Sequence, residues 1–167
     1  MVGRMSKFPL ASAEIERVNW EGLRELNGSA AGVPDALRGL LCAQNNAEAE
    51  QFYWKIENHV VVQGRLYEAA EHVIPVLLAA LLDGADRETT ISVMEIIFQI
   101  VAGSTAEEEI ERGNSQVVEL CHLRAREGLW VIYRELAGGN RDAALEILEH
   151  IELDVERLDA YRRRFCS

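Results

Sequence analysis

From residue 18 onward, apolar side chains recur at three- and four-residue intervals, the period of helices that turn one face to a core. No stretch shows the strict alternation of a strand. "VNWEGLRELNG" places Trp20, Leu23 and Leu26 on one face, with Asn19 as candidate N-cap and Gly28 as the stop. "VPDALRGLL" follows, with Pro34 suited to the first helical position. Further helices are expected over 47–62, ending near Gly64, over 66–82, ending in "DGAD", and over 87–102, ending at Gly103. "STAEEEIERGN" reads as a short helix capped by Ser104 or Thr105, with glutamates at its positive end. A long helix over 115–137 stops at "GGN", and helices over 141–151 and 155–163 complete the chain.

Several of these segments are apolar on more than one stripe. In "TTISVMEIIFQIVAG", Ile91, Met94, Phe98 and Val101 form one face, and Val93, Ile96, Ile97 and Ile100 form another. Only Glu88, Ser92, Glu95 and Gln99 leave a narrow polar strip. Such a helix needs cover on both sides, which stacked helix pairs supply. The glycines Gly64 and Gly103 lie 39 residues apart, close to the roughly 40–47-residue period of HEAT-type repeats. "VIPVLLAALLDGADRETTISVMEIIFQIVAG" resembles such a repeat. Pro75 lies in its first helix, Leu77, Leu78, Leu81 and Leu82 form the packing ridge, Asp83 marks the turn and Arg87 stands near the usual basic position. Pro75 has no N–H, so a bend is expected where the Glu71 carbonyl loses its partner. The expected fold is all-α: a short HEAT-like α-solenoid of about four antiparallel helix pairs. One domain spans 1–167, with 1–17 as a loosely ordered lead-in.

Composition narrows the partners. The chain has 167 residues, enough for one domain with a substantial core. Its 28 Asp and Glu against 17 Lys and Arg leave a net charge of −11. That disfavours nucleic acid, whose binding requires a positive field. It suits either a basic partner or simple solubility. Cys42, Cys121 and Cys166 are widely spaced and form no CxxC pair, which is consistent with reduced thiols in the cytoplasm. The N-terminal residues lack the apolar core of a secretory signal, and the apolar run over 73–82 is too short to cross a membrane.

The densest candidate chemistry is "WKIENHVVVQGRLYEAAEH", Trp54 to His72. Two histidines with nearby carboxylates can hold zinc or iron in principle, but the spacing matches no metal motif. Helix phase continues the Phe52–Ile56 stripe through His59, which points it inward. It sets His72 beside Glu68 on the least apolar face of its own helix, as a surface pair. The favoured reading is therefore structural. In "ELCHLR" the adjacent Cys121 and His122 diverge on a helix and form no nucleophile–base pair. "EEEIE", Glu107 to Glu111, reads as a solvated helix start, with a binding patch as the other reading. "YRRRF", Tyr161 to Phe165, puts cations at a helix C-terminus, where the dipole favours them. Trp54 and Trp130 are assigned to the core, and Trp20 to the edge of the stack.

Taken together, "YWKIENHVVVQGRLYEAAEHVIPVLLAAL", "VMEIIFQIVAG", "ERGN" and "REGLWVIYRELAGGNRDAALEILEHI" are similar to a family of small bacterial HEAT-repeat proteins. Members are often encoded beside polymorphic or contact-delivered toxins and are regarded as immunity proteins. The resemblance covers roughly residues 18–155 and brings no catalytic residue with it. It implies a non-enzymatic protein that neutralises a cognate, basic toxin domain through a concave surface lined by second helices. The polar strip Glu88, Ser92, Glu95 and Gln99 would lie on that surface. Glu50, Tyr53 and Glu57 are expected on one side of it, and Gln116, Glu119 and Arg126 on the other. No cofactor, metal, nucleic-acid or membrane partner is expected. The alternatives are a HEAT-like adaptor without a toxin and, further off, a HEAT-like DNA glycosylase, which would need a basic concave face.

Overall fold

A computed structural model describes residues 2–166. These are mostly helical: α1 Val2–Met5, α2 Pro9–Arg17, α3 Val33–Cys42, α4 Asn46–Val60, α5 Ala70–Leu82, α6 Arg87–Val101, α7 Glu107–Glu111, α8 Val117–Glu127, α9 Leu129–Gly138, α10 Arg141–Ile151 and α11 Val155–Phe165. No helix among the described residues is long and apolar enough to cross a membrane.

Local chemistry starts several helices where the pattern predicts. Asn45 caps α4 by accepting from the Glu48 N–H at 2.9 Å, and Asp86 caps α6 by accepting from Thr89 at 2.9 Å. Asp154 does the same for α11 through the Arg157 N–H at 3.0 Å. Pro34 stands in the first turn of α3, where a missing N–H has no cost. α5 continues through Pro75 to Leu82.

The helices form two layers. In one, α2 packs on α5 and α5 on α8. In the other, α4 and α10 flank α6, which also rests on α5 and α8. α3 covers α4, and α9 covers α10. α5 and α6 meet between the layers, and both bring buried apolar side chains to the core: Ile74, Leu77 and Leu81 from α5, and Val93, Ile96, Ile97 and Ile100 from α6. Each such side chain contributes about 1.5–3 kcal/mol on leaving water. Of the two apolar stripes of α6, Val93, Ile96, Ile97 and Ile100 are all buried, as are Met94 and Val101 of the other, while its Ile91 is left half exposed.

Within the 1–17 segment, α2 buries Ala11 and Ile15, and Asp83 caps it by accepting from the Leu10 and Ala11 N–H groups. Four expectations change. Trp20–Gly22 is a single 3₁₀ turn, and the rest of "VNWEGLRELNG" is a hairpin, β1 Arg24–Glu25 paired antiparallel with β2 Gly28–Ser29. Gly64 does not join two helices directly. With Gln63 it forms the two-residue turn of a second hairpin, β3 Val61–Val62 with β4 Arg65–Leu66, both at positive φ (51° and 77°) as a type I′ turn requires. Ser104 and Thr105 do not cap α7; they form β5, parallel to β4, with Ser104 N–H donating to the Gly64 carbonyl at 2.8 Å. The two glycines that mark the 39-residue spacing therefore meet at one small mixed sheet. Lastly, the expected 115–137 helix is divided at Gly128 into α8 and α9, where the backbone closes on Leu78.

Candidate protein-docking groove

The polar strip of α6 faces outward as its phase predicts, with Glu88 and Glu95 exposed and Ser92 and Gln99 half-buried. On α4, Glu50, Tyr53 and Trp54 lie three and four residues apart and point toward the same strip. Between the two helices is a groove of about 660 Å³, walled by Glu50, Tyr53 and Trp54 on one side and by Glu88, Ile91, Ser92 and Glu95 on the other.

Its acidic groups are held in place by aromatic donors. The Tyr53 hydroxyl donates to Glu95 Oε1 at 3.2 Å, bridging α4 to α6, and Trp54 Nε1 donates to Glu50 Oε1 at 3.4 Å. Burial first, then the charges of Glu95 and Glu57, push the Tyr53 phenol well up, so it stays a donor at neutral pH. Glu57 lies one turn further along α4, and its Oε2 is buried without a hydrogen-bond partner. Among the described residues, no ion pair involves Glu50, Glu57, Glu88 or Glu95, whereas Glu14, Glu68, Glu71, Glu109, Glu127, Glu149 and Glu152 all have arginine partners. Arg87 stands at one end of the groove.

A second cavity, of about 320 Å³, continues across α6 toward α10. It shares Ile91 and Glu95 with the first and adds Met94, Phe98, Gln99, Asn140 and Glu146. The strip's neighbour on this side is therefore α10. Gln116, just before α8, and Glu119 and Arg126 on it belong to the other layer and line neither cavity. Arg126 turns instead to the Ile151 carbonyl, 2.7 Å from its Nε. Of the expected surface, Glu50, Tyr53, Glu88, Ser92, Glu95 and Gln99 are brought together; Glu57 borders them, and the α8 residues are not among them.

Sequence reasoning missed Trp54 and Ile91. Trp54 is 47% exposed and Ile91 49% exposed, and both line the groove. Helix phase held the signal: Trp54 is four residues after Glu50, and Ile91 sits between Glu88 and Glu95 on the polar strip. Hydrophobicity alone assigned them inward. Trp130, also assigned to the core, is 60% exposed and carries the Arg157 guanidinium over its ring at 5.3 Å. Trp20, placed at an edge, is buried and donates its Nε1 to the Ile15 carbonyl.

In and around the Trp54–His72 stretch, as elsewhere among the described residues, no group of three or more His, Cys, Asp or Glu side chains is placed to hold a metal ion. Its histidines reverse their expected places. His59 is the more exposed one, with Nδ1 2.5 Å from Glu25 Oε2, because the unexpected β1–β2 hairpin brings Glu25 against the end of α4. His72 is the more buried one, edge-on to Trp20, and burial pushes its pKa down. Glu68 does not pair with His72 but accepts from the Arg24 backbone N–H and faces its guanidinium. Cys121 is fully buried, which pushes its thiol well up and leaves it inert, while neighbouring His122 bonds the Val101 carbonyl. In "YRRRF", Arg162 pairs with Glu149 and Asp159. Comparison of the chain with protein-family models, with curated proteins and with solved structures finds no match to any of them.

Proposed function

We propose that this protein is a non-enzymatic, cytoplasmic immunity protein of the HEAT-like class, which neutralises a basic toxin domain by docking it on the α4–α6–α10 face. In this reading the pairs α3/α4, α5/α6 and α8–α9/α10 stack as a short solenoid, with α4, α6 and α10 as its binding layer. The observation that carries the proposal is the set of groove carboxylates that form no ion pair among the described residues, beside an exposed tryptophan and an exposed isoleucine. Aromatic and aliphatic side chains that are half exposed in a free protein are the usual anchors of an interface. Carboxylates around them select a partner of opposite charge. The net charge of −11 adds steering, so association should be fast and should slow as salt rises.

Co-expression with the product of the adjacent open reading frame tests this. Rescue from that product's toxicity, weakened by Glu88→Lys with Glu95→Lys, supports it. Full rescue by the folded double variant would remove the groove from the interface. A bound but non-toxic neighbour would instead make the protein an adaptor.

A further inference from the structure

We propose that the α4–α6 groove is an arginine-binding box: it seats a guanidinium of the partner against the Trp54 indole, between the Glu50 carboxylate of α4 and the Glu95 carboxylate of α6. This rests on the docking reading above and names the group that the groove recognises.

Three features favour a planar cation over a point charge. Trp54 is a half-exposed aromatic ring in the groove wall, in T-shaped contact with Tyr53 with ring centroids 5.4 Å apart. A guanidinium can stack on such a ring, whereas a compact, strongly hydrated ammonium gains less there. Carboxylates stand on both walls, and a guanidinium offers a planar fork of five N–H donors where an ammonium offers three. Each carboxylate is also oriented in advance. Trp54 Nε1 occupies Glu50 Oε1 and the Tyr53 hydroxyl occupies Glu95 Oε1, which leaves Oε2 of each as the acceptor for an incoming donor. Glu88 and the Ser92 hydroxyl line the same wall and can take the remaining N–H groups. The chain itself shows the arrangement elsewhere: Arg157 lies over Trp130 while its Nε bonds Glu152 at 2.8 Å. In the α4–α6 groove the aromatic ring and the carboxylates are present, and Arg87, which also lines it, forms no ion pair with them among the described residues, so Glu50 and Glu95 are open to an arginine of the partner.

The test uses short capped peptides, Gly-Leu-Arg-Gly-Gly and its lysine and citrulline counterparts, titrated into the full-length protein. Indole N–H resonances are followed by NMR. The chain has three tryptophans, so Trp20 and Trp130 serve as internal controls, and Trp54 is assigned by loss of its signal in Trp54→Phe. The expected result is a shift at Trp54 alone, with the arginine peptide binding about tenfold more tightly than the lysine peptide and citrulline not binding. Trp54→Ala should remove most of that preference, and Glu95→Gln should weaken both cationic peptides while the fold is retained. Equal affinity for arginine and lysine peptides, a shift centred on Trp130, or no binding by any peptide overturns the box. The docking reading is judged separately by the co-expression rescue. If Glu88→Lys with Glu95→Lys weakens rescue while Trp54→Ala leaves it intact, docking stands and the arginine box falls.

Discussion

Arg24 holds Glu109 across 85 residues of chain, with its Nη2 2.9 Å from Glu109 Oε2 and its Nε 3.3 Å from Oε1. Glu109 is fully buried, and Asn114 Nδ2 supplies a further bond at 3.0 Å. Burial alone would push this carboxyl up; the hydrogen bonds from Arg24 and Asn114 prevail and hold it below its ordinary value. "EEEIE" was expected to be a solvated helix start, yet one of its carboxylates ties α7 to the first hairpin.

Arg24→Ala should therefore destabilise the protein strongly, because it leaves a buried carboxylate short of its main partner. The expected loss is about 2–3 kcal/mol, below that of a fully buried pair because the guanidinium is partly exposed. Glu109→Gln keeps the shape without the charge and should cost about 1 kcal/mol. Urea unfolding of the two variants gives the order; an equal effect would remove the charge argument.

Glu152 makes the acid side of the stability profile. Two hydrogen bonds from Arg157, opposed by burial and assisted by the Asp154 N–H and the Tyr133 hydroxyl, lower its pKa to about 2. A carboxyl whose folded pKa is depressed adds stability above its unfolded value of 4.5 and loses it as pH falls toward about 2. The contribution should be about 1–2 kcal/mol after allowance for solvent around Arg157. Glu152→Gln should flatten the unfolding free energy across that window; an unchanged slope would place the acid sensitivity elsewhere.

Gly128 allows α8–α9 to close on α5. A Cβ at this position would fall 2.5 Å from Leu78 Cδ2, inside the packed core. Gly128→Ala should cost about 1–3 kcal/mol through overpacking. Combined with Leu78→Ala, which opens space at the same point, the losses should be less than additive. Strict additivity in thermal or urea unfolding would show that the two sites do not share this contact.

Charge reversal in the groove should leave the fold alone. Glu88 and Glu95 are exposed and enter no ion pair among the described residues, but Glu88 stands in the first turn of α6 and Glu95 accepts from Tyr53, so Glu88→Lys with Glu95→Lys should cost about 1–2 kcal/mol in total, too little to unfold the protein. Its effect should appear in the partner's association rate, which for the unaltered protein falls as salt rises. An association rate unchanged at high ionic strength would rule out steering.

Particular elements show what could be read locally. α3, α4, α6, α10 and α11 were legible because their signals are short-range: apolar period within them and, for α3, Pro34 in its first turn. Leu23 and Leu26 have helical period too, yet they lie in and beside a hairpin. There, distant backbone bonds prevail: Leu26 N–H donates to the His59 carbonyl and Ala69 N–H to the Arg24 carbonyl. The groove was half legible. Its acidic residues follow from helix phase, but Trp54 and Ile91 were assigned inward because hydrophobicity alone does not say which apolar positions the neighbouring helix covers.

By itself, then, the sequence determined the helical class, most helix boundaries, the two-sided burial of α6 and the acidic strip it leaves outside. Each of these depends on residues within a turn or two of one another. Tertiary structure decided which helix lies beside that strip. The sequence suggested α8, but α10 takes the place because Gly128 breaks the long helix, α9 turns onto α5, and α10 then folds back onto α6 and α8. It also decided that Glu109 is buried and Trp54 exposed, since burial is set by the partners that long-range packing supplies.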